Sequence, residues 1–197
     1  MSLASLARLN RSRHDLSRNP NEKGTRDEKL IVSTFLTLDG VMQAPVGPGE
    51  DDSGAFPHGG WSVNYWDDQM GQVMGEAMSK PFDLLLGRKT YDIFAAFWPT
   101  ASDDAGGKPL NDATKYVASR GQPALAWGPS VLIEGDAAEG VSAIKEGNGP
   151  ELQVHGSGNL IQTLVRHNLV DESRSGSFRS LSAPASGYSP TAPSPPG

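Results

Sequence analysis

Short apolar, β-branched runs alternate with segments of helical periodicity through most of the chain. The first run, residues 30–38, has strand length and ends at the turn dipeptide Asp39-Gly40. Similar runs predict further strands at 82–86, 115–119, 131–133 and 152–154. Strands that alternate with helices indicate a central, mostly parallel sheet with helices on its faces, so the predicted fold class is α/β.

Apolar side chains recur at three- and four-residue spacing between the first two strands, at Met70, Val73, Met74, Ala77 and Met78. Asp67 stands where an N-cap is needed, so the pattern predicts an amphipathic helix over 67–78 that packs on the sheet, with its methionines in the core. Further helices are predicted at 91–97, 137–145 and 159–166.

Three segments lack such periodicity. Residues 1–28 are polar and rich in Arg and Asn, which predicts a disordered extension. Residues 44–60 form a Gly/Pro/Asp loop long enough to be a candidate lid. Residues 173–197 are dominated by Ser, Pro, Gly and Ala, and we expect a disordered tail. An ordinary tail is one interpretation; replacement of a native ending by out-of-frame sequence is the one favoured. The predicted domain is therefore 29–172.

Composition limits the class of protein further. With 197 residues the chain suits one domain, and without cysteine it has neither disulfides nor a cysteine zinc site. No apolar run reaches eighteen residues, so we expect a cytoplasmic protein without a membrane span. The net charge is -6, and both termini are basic, so the middle of the chain is more acidic still. This balance argues against a nucleic-acid partner but allows an anionic cofactor.

Two glycine-containing turns follow predicted strands and precede predicted helices, where free N–H groups can bind an anion. The first offers a hydroxyl and two cations, in Gly87, Arg88, Lys89 and Thr90. Taken alone, such a turn is more often a solvated helix start. The second consists of His155, Gly156, Ser157, Gly158 and Asn159. It lacks the third glycine of the Rossmann fingerprint, so that fold is disfavoured, and a hydrogen-bonded structural role is the better interpretation of its histidine.

Four motifs occur in an order that resembles a known superfamily: LIVSTFLTLDG at 30–40, LLLGRKTY at 84–91, YVASR at 116–120 and VHGSGNL at 154–160. Over about 29–172 the chain resembles dihydrofolate reductase-like proteins, in particular the bacterial subgroup related to the C-terminal reductase domain of the riboflavin-biosynthesis protein RibD. The resemblance implies a three-layer α/β/α fold and NADPH as the cofactor.

The resemblance also implies roles for individual residues. The turn from Gly87 to Thr90 would hold cofactor phosphates, and the turn from Gly156 to Asn159 would cover the pyrophosphate. Ser119 and Arg120 would meet the adenosine 2′-phosphate; the guanidinium fork suits a phosphate dianion, which favours NADPH over NADH.

Reduction of a C=O or C=N group also needs a proton, and Asp39 is our candidate for that role. Without the family, an Asp-Gly turn residue is the better interpretation of Asp39. Trp61 and Tyr65, with Trp66, are candidate walls of a substrate pocket, although aromatic core packing explains them equally well. Asp68, or its neighbour Asp67, is a second candidate acid near the substrate.

The chain departs from the family pattern after Asp171-Glu172. Family members continue there into further apolar strands, so we expect the C-terminal strands of this fold to be missing. Unpaired strand edges and an uncovered core would then leave a marginal, aggregation-prone protein, and the homodimer that the family suggests is in doubt.

Three functions fit the sequence. The first is an NADPH-dependent reductase of a small heterocyclic substrate, pterin-like or of the ribosylamino-uracil type. The second is a nucleotide-binding remnant without activity. The third is an interaction protein that works through its flexible ends.

Overall fold

A computed structural model describes residues 28–102 and 106–178. Its strands are β1 (Leu30–Thr37), β2 (Phe82–Gly87), β3 (Lys115–Ala118), β4 (Ser130–Ile133), β5 (Glu151–His155) and β6 (Glu172–Phe178). Its α-helices are α1 (Asp68–Ala77), α2 (Arg88–Phe97), α3 (Gly107–Asp112), α4 (Ala137–Lys145) and α5 (Gly158–Arg166). Short 3-10 turns occupy Ser53–Ala55, Val63–Tyr65 and Trp98–Thr100.

The described strands form one six-stranded sheet in the order β4-β3-β2-β5-β1-β6. Every neighbouring pair is parallel, which confirms the α/β prediction of a parallel central sheet. No helix within the two described ranges has the length and apolar character needed to cross a bilayer. Because all strands are parallel, their carboxyl ends meet at one edge of the sheet.

Apolar side chains cover both faces of the sheet, because successive residues of a strand point to opposite faces. On one face Leu85, Leu152 and Val154 pack with Val141 of α4 and Leu164 of α5. On the other face the buried residues come from β2, β3, α2, α3 and the segment before β4, namely Phe82, Leu84, Leu86, Tyr91, Leu110, Ala113, Val117 and Trp127. The sheet therefore lies between two helical layers, as the three-layer prediction requires.

Strand β6 corrects the prediction that the domain ends at residue 172. It pairs in parallel with β1 along its whole length, from Ile31↔Glu172 to Thr37↔Phe178. Main-chain hydrogen bonds form whatever the side chains are, so a Ser/Arg/Ser/Gly sequence can complete a ladder without an apolar pattern. Residues 1–27 and 179–197, for which disorder is predicted, lie outside the described part of the chain.

Phe178 anchors the end of β6. Its side chain is only 4% exposed, and its ring meets the rings of Phe35, Trp61 and Tyr65 edge-on at centroid distances of 5.3, 5.4 and 6.1 Å. Edge-to-face aromatic pairs stabilise the folded state by more than the apolar area they bury would suggest.

Ion pairs hold the start of the same strand. The Asp171 carboxylate accepts a hydrogen bond from the Leu30 N–H at 2.7 Å and pairs with Lys145. Burial alone raises the pKa of Asp171, but the hydrogen bonds from Leu30 and Lys145 outweigh it and leave the pKa below its usual value. Lys29, the residue before β1, pairs with Glu172, the first residue of β6. The approach to β6 is therefore fixed to both β1 and α4.

Glu28 corrects the other predicted boundary, since it belongs to the folded domain. Its carboxylate is buried and accepts the Gly149 N–H, while its own N–H donates to the Lys145 carbonyl at 2.7 Å. Burial raises the pKa of this carboxyl. The domain therefore begins at or before Glu28.

Helix α1 forms where it was predicted, but it is not packed on the sheet. Asp67 caps it by accepting the Met70 N–H at 2.8 Å, as expected. None of its residues is buried, and Val73 is 54% exposed. Periodicity shows that one face avoids water, but not whether that face meets a core or a cleft. Here Met70, Val73, Met74 and Ala77 line a cleft.

The Phe178→Ala variant tests whether β6 is part of the folded domain. Loss of a buried aromatic ring should lower the free energy of unfolding by about 3–5 kcal/mol, measured by urea denaturation. Phe97→Ala is the matched control, since Phe97 is 58% exposed and its loss should cost less than about 1 kcal/mol. Equal stability of the two variants would show that β6 does not belong to the fold.

Candidate functional site

A cleft of about 870 Å³ lies between the sheet and the helices α1 and α2. Its floor is formed by β1, β5 and β6, and its walls by α1, α2 and the start of α5. The loop that follows β1 covers it through residues from Gly40 to Ser53. The size lies within the range of about 300–1,000 Å³ that is usual for small-molecule and cofactor sites.

The two predicted glycine turns meet at this cleft. The Gly87 N–H donates to Ser157 Oγ at 2.9 Å, and the Ser157 N–H donates to Thr90 Oγ1 at 3.0 Å. Ser157 Oγ in turn donates to the His155 carbonyl at 2.9 Å. Gly156 has φ +53°, and a Cβ there would lie only 3.2 Å from Thr90 Oγ1. Both the positive φ and the close approach of the two turns therefore favour glycine at 156.

The second turn leads into α5 and leaves donors free at its start. The first backbone bond of the helix joins the Ile161 N–H to the Ser157 carbonyl at 3.0 Å, and no side chain caps the helix. Within the described residues, the N–H groups of Gly158, Asn159 and Leu160 therefore have no acceptor. Gly158 and Asn159 line the cleft. Free N–H groups at a helix start favour an anion.

Lys89, in the first turn, is tied to the covering loop. Its Nζ donates to Asp51 Oδ1 at 2.6 Å and to Ser53 Oγ at 2.7 Å. Burial alone raises the pKa of Asp51, but hydrogen bonds from Lys89 and Ser53 outweigh it and lower that pKa. Gln43 Nε2 also donates to the carbonyls of Asp51 and Ser53, at 3.0 and 2.7 Å. The candidate lid is thus fastened to the candidate phosphate turn.

Other predicted cofactor residues lie beside the cleft rather than in its lining. Arg88 is exposed and pairs with Asp92 at 2.7 Å. Ser119 and Arg120 follow β3, whose Ala118 is in register with Gly87. They therefore lie at the same edge of the sheet as the first turn, but neither is among the lining residues of the described chain.

Asp39 occupies an exposed turn. The turn is closed by the Gly40 N–H to the Thr37 carbonyl at 2.9 Å and by the Val41 N–H to Thr37 Oγ1 at 2.8 Å. Gly40 and Val41 line the cleft, whereas Asp39 does not. Asp67, the N-cap of α1 and the other candidate acid, does line the cleft, as do Glu50 and Asp51 of the covering loop.

Of the predicted substrate-binding residues, Tyr65 lines the cleft, whereas Trp61, Trp66 and Asp68 do not. Trp61 is 7% exposed and packs in the small core beside the loop, where its Nε1 donates to the Gln43 carbonyl at 2.8 Å. Tyr65 lines the cleft, but Asp68, one residue into α1, does not. Trp66 is exposed and its ring lies edge-on to Phe35 at 6.0 Å.

His155 lies on the floor of the cleft. Its Nε2 is 3.2 Å from Gln153 Oε1, and its ring is 6.4 Å from that of Phe94. Desolvation lowers the pKa of His155 to about 4, so its ring is neutral near pH 7. His155 is hydrogen-bonded, as predicted, and its side chain also lines the cleft.

Sequence reasoning missed two parts of the lining: the floor strand β6, with Arg174, Ser175, Ser177 and Phe178, and the apolar face of α1. Phe178 was the main available signal for β6, as a large apolar residue in a small-residue segment. Across the described ranges no group of three or more histidine, aspartate or glutamate side chains is placed to hold a metal.

Comparison with solved structures shows a similar fold in a Shewanella sp. PV-4 protein assigned provisionally to riboflavin biosynthesis, solved as a crystal structure. The match has 21% identity and a TM-score of 0.52, and it covers 78% of each chain. A comparison with curated proteins found no match.

The model of one protein family, the RibD C-terminal domain, matches residues 28–176. The match includes all five described helices and β1 to β5, reaches most of β6, and covers both glycine turns. The chain therefore belongs to the RibD C-terminal domain family, a family of reductases.

Proposed function

We propose that this protein is an NADPH-dependent reductase of a small heterocyclic substrate, pterin-like or of the ribosylamino-uracil type. The observation that carries the proposal is the hydrogen-bonded junction of the two glycine turns at one cleft, through Gly87, Thr90 and Ser157. The family, whose members are reductases, supports the same reaction class.

The residues present fit a dinucleotide. Free N–H groups at Gly158 and Asn159 and the hydroxyl of Thr90 suit phosphate oxygens. Arg120, at the same sheet edge, suits the 2′-phosphate. When bound, the nicotinamide would supply hydride to the substrate.

The proton requires an acid or a water molecule held by one. Asp39 is the family-based candidate, but of the candidate acids Asp39, Asp67 and Asp68 only Asp67 lies in the cleft lining. Asp67 uses Oδ1 to cap α1, which leaves Oδ2 for a water molecule or substrate. We therefore assign the proton-delivery role to Asp67 in preference to Asp39.

A nucleotide-binding protein without reductase activity is the second candidate. The observation in its favour is the position of Asp39 outside the cleft lining. Such a protein would bind NADPH as a reductase does, but would not oxidise it with any substrate.

Cofactor titration tests the proposal directly. NADPH should bind the wild-type chain more tightly than NADH, measured by the fluorescence of the reduced nicotinamide. Arg120→Ala should weaken NADPH binding by about tenfold, because one charge-assisted contact to the 2′-phosphate contributes about 1.5–3 kcal/mol, and should leave NADH binding unchanged. Absence of NADPH binding to the wild type would refute both candidate functions.

The Asp51→Asn variant tests the role of the loop contact. With the ion pair weakened, Lys89 is freer to meet phosphate, so NADPH affinity should rise up to about fivefold, as expected for a contact of about 1 kcal/mol. Asp112→Asn, which breaks the exposed pair with Lys108 on α3, away from the cleft lining, is the matched control and should change nothing. Weaker NADPH binding by the Asp51 variant would contradict this account.

A pair of isosteric variants separates the two candidate acids. Asp67→Asn keeps an N-cap residue and should fold normally, yet should slow NADPH oxidation at least about a hundredfold, the usual contribution of a positioned acid. Asp39→Asn should retain activity. The measurement is loss of NADPH absorbance with a panel of pteridine and aminopyrimidine substrates. Activity lost only in the Asp39 variant would reverse the assignment, and a wild type that binds NADPH but oxidises none would favour the second candidate.

A further inference from the structure

Three polar side chains stand in one row across the floor of the cleft. In the sheet register Ser33 of β1 is opposite His155 of β5 on one side and Arg174 of β6 on the other. All three line the cleft. Neighbouring strands lie about 4.8 Å apart, so the row spans roughly 10 Å. That length matches the edge of a one- or two-ring heterocycle.

The hydrogen-bond network fixes the tautomer of His155. Gln153 Nε2 donates both hydrogens, to the Ala77 carbonyl at 2.8 Å and to Glu151 Oε1 at 2.7 Å. Gln153 Oε1 can therefore only accept, so the hydrogen between it and His155 belongs to the histidine Nε2. In a neutral ring Nδ1 is then a lone-pair acceptor, and no described residue donates to it.

Arg174 supplies the opposite chemistry at the other end of the row. Its Nε donates to Glu172 Oε1, which orients the guanidinium. Within the described chain its two Nη nitrogens have no acceptor, so they remain available as donors. The Ser33 hydroxyl between the two ends can donate or accept. The row therefore presents an acceptor, an adaptable group and a donor, in that order.

We propose that this row reads the cyclic amide or imide edge of a neutral heterocyclic substrate, with His155 Nδ1 accepting from a ring N–H and Arg174 donating to a ring carbonyl. This inference rests on the proposed reductase function and assigns the substrate side of the cleft. The apolar face of α1, through Met70 and Met74, provides the surface against which a flat ring packs.

Lumazine and 1,3-dimethyllumazine are the probes, because the second retains the ring and carbonyls but lacks the ring N–H groups. Each is titrated by calorimetry into the full chain saturated with the oxidised cofactor, NADP⁺, so that no hydride is transferred during the titration. The wild type should bind lumazine at least about tenfold more tightly than the dimethyl compound, as expected for loss of one hydrogen bond with its buried partner left unpaired.

Substitutions at the two ends of the row should affect the probes differently. His155→Phe should weaken lumazine binding about tenfold and leave dimethyllumazine binding unchanged. His155→Asn should restore much of the affinity, because Oδ1 of asparagine lies the same number of bonds from Cα as Nδ1 of histidine. Arg174→Met, at an exposed strand position, should weaken both probes, which share the carbonyls, whereas Arg166→Met, on the outer surface of α5, should change neither.

NADPH affinity, measured first on each variant, distinguishes failure of the proposed reductase function from failure of the proposed substrate contacts. If the wild type does not bind NADPH, the proposed function itself fails. If it binds NADPH but binds the two lumazines equally or not at all, the row does not read an amide edge. If His155→Phe has lost NADPH binding through misfolding, the Arg174→Met result decides, and an unchanged lumazine affinity there overturns the proposal.

Discussion

Ser157 joins two turns that are seventy residues apart in the chain, by accepting the Gly87 N–H and donating its own N–H to Thr90. These two bonds bring the start of α2 next to the start of α5, so that the positive ends of two helices face one cleft. The arrangement depends on the parallel order of the sheet, which places the carboxyl ends of β2 and β5 side by side. Glycine is favoured at 156 because its φ is positive and a larger residue would press against Thr90.

The cleft exists because β1 lies between β5 and β6, while α1 stands away from the sheet. Helix α1 contacts the domain through Met70, which packs against the small core that contains Trp61 and Phe178, and through the bond from Gln153 to the Ala77 carbonyl. The rest of its apolar face, through Val73, Met74 and Ala77, borders the cleft. The same Gln153 fixes the tautomer of His155. The buried Gln153 amide therefore contacts both α1, in the wall of the cleft, and His155, on its floor.

The layers of this fold were readable from the sequence because most of its elements have strong local patterns. The helix Ala137–Lys145 has the predicted bounds because Asp136 caps it. Strand β1 differs from its predicted bounds by one residue because most of its residues are apolar or β-branched. Helix α3, with Gly107 and Pro109 in six residues, has too little local preference to be predicted.

Features that depend on tertiary contacts could not be predicted from local sequence patterns. Strand β6 is defined by its ladder with β1 and by the aromatic contacts of Phe178, not by its own serines and glycine. Of the site, the two glycine turns were located correctly in the chain. Their direct contact, the position of Asp39 outside the lining and the capture of Lys89 by Asp51 depend on how distant segments meet, which no local pattern encodes.

The central claim is that the joined turns hold the phosphates of a dinucleotide. Amide NMR of the isotope-labelled chain during titration with NADPH measures this residue by residue. The largest shift changes should fall on Gly87, Thr90, Ser157, Gly158 and Asn159, with saturation at one equivalent. Saturable changes confined to other parts of the molecule, or none at all, would contradict it.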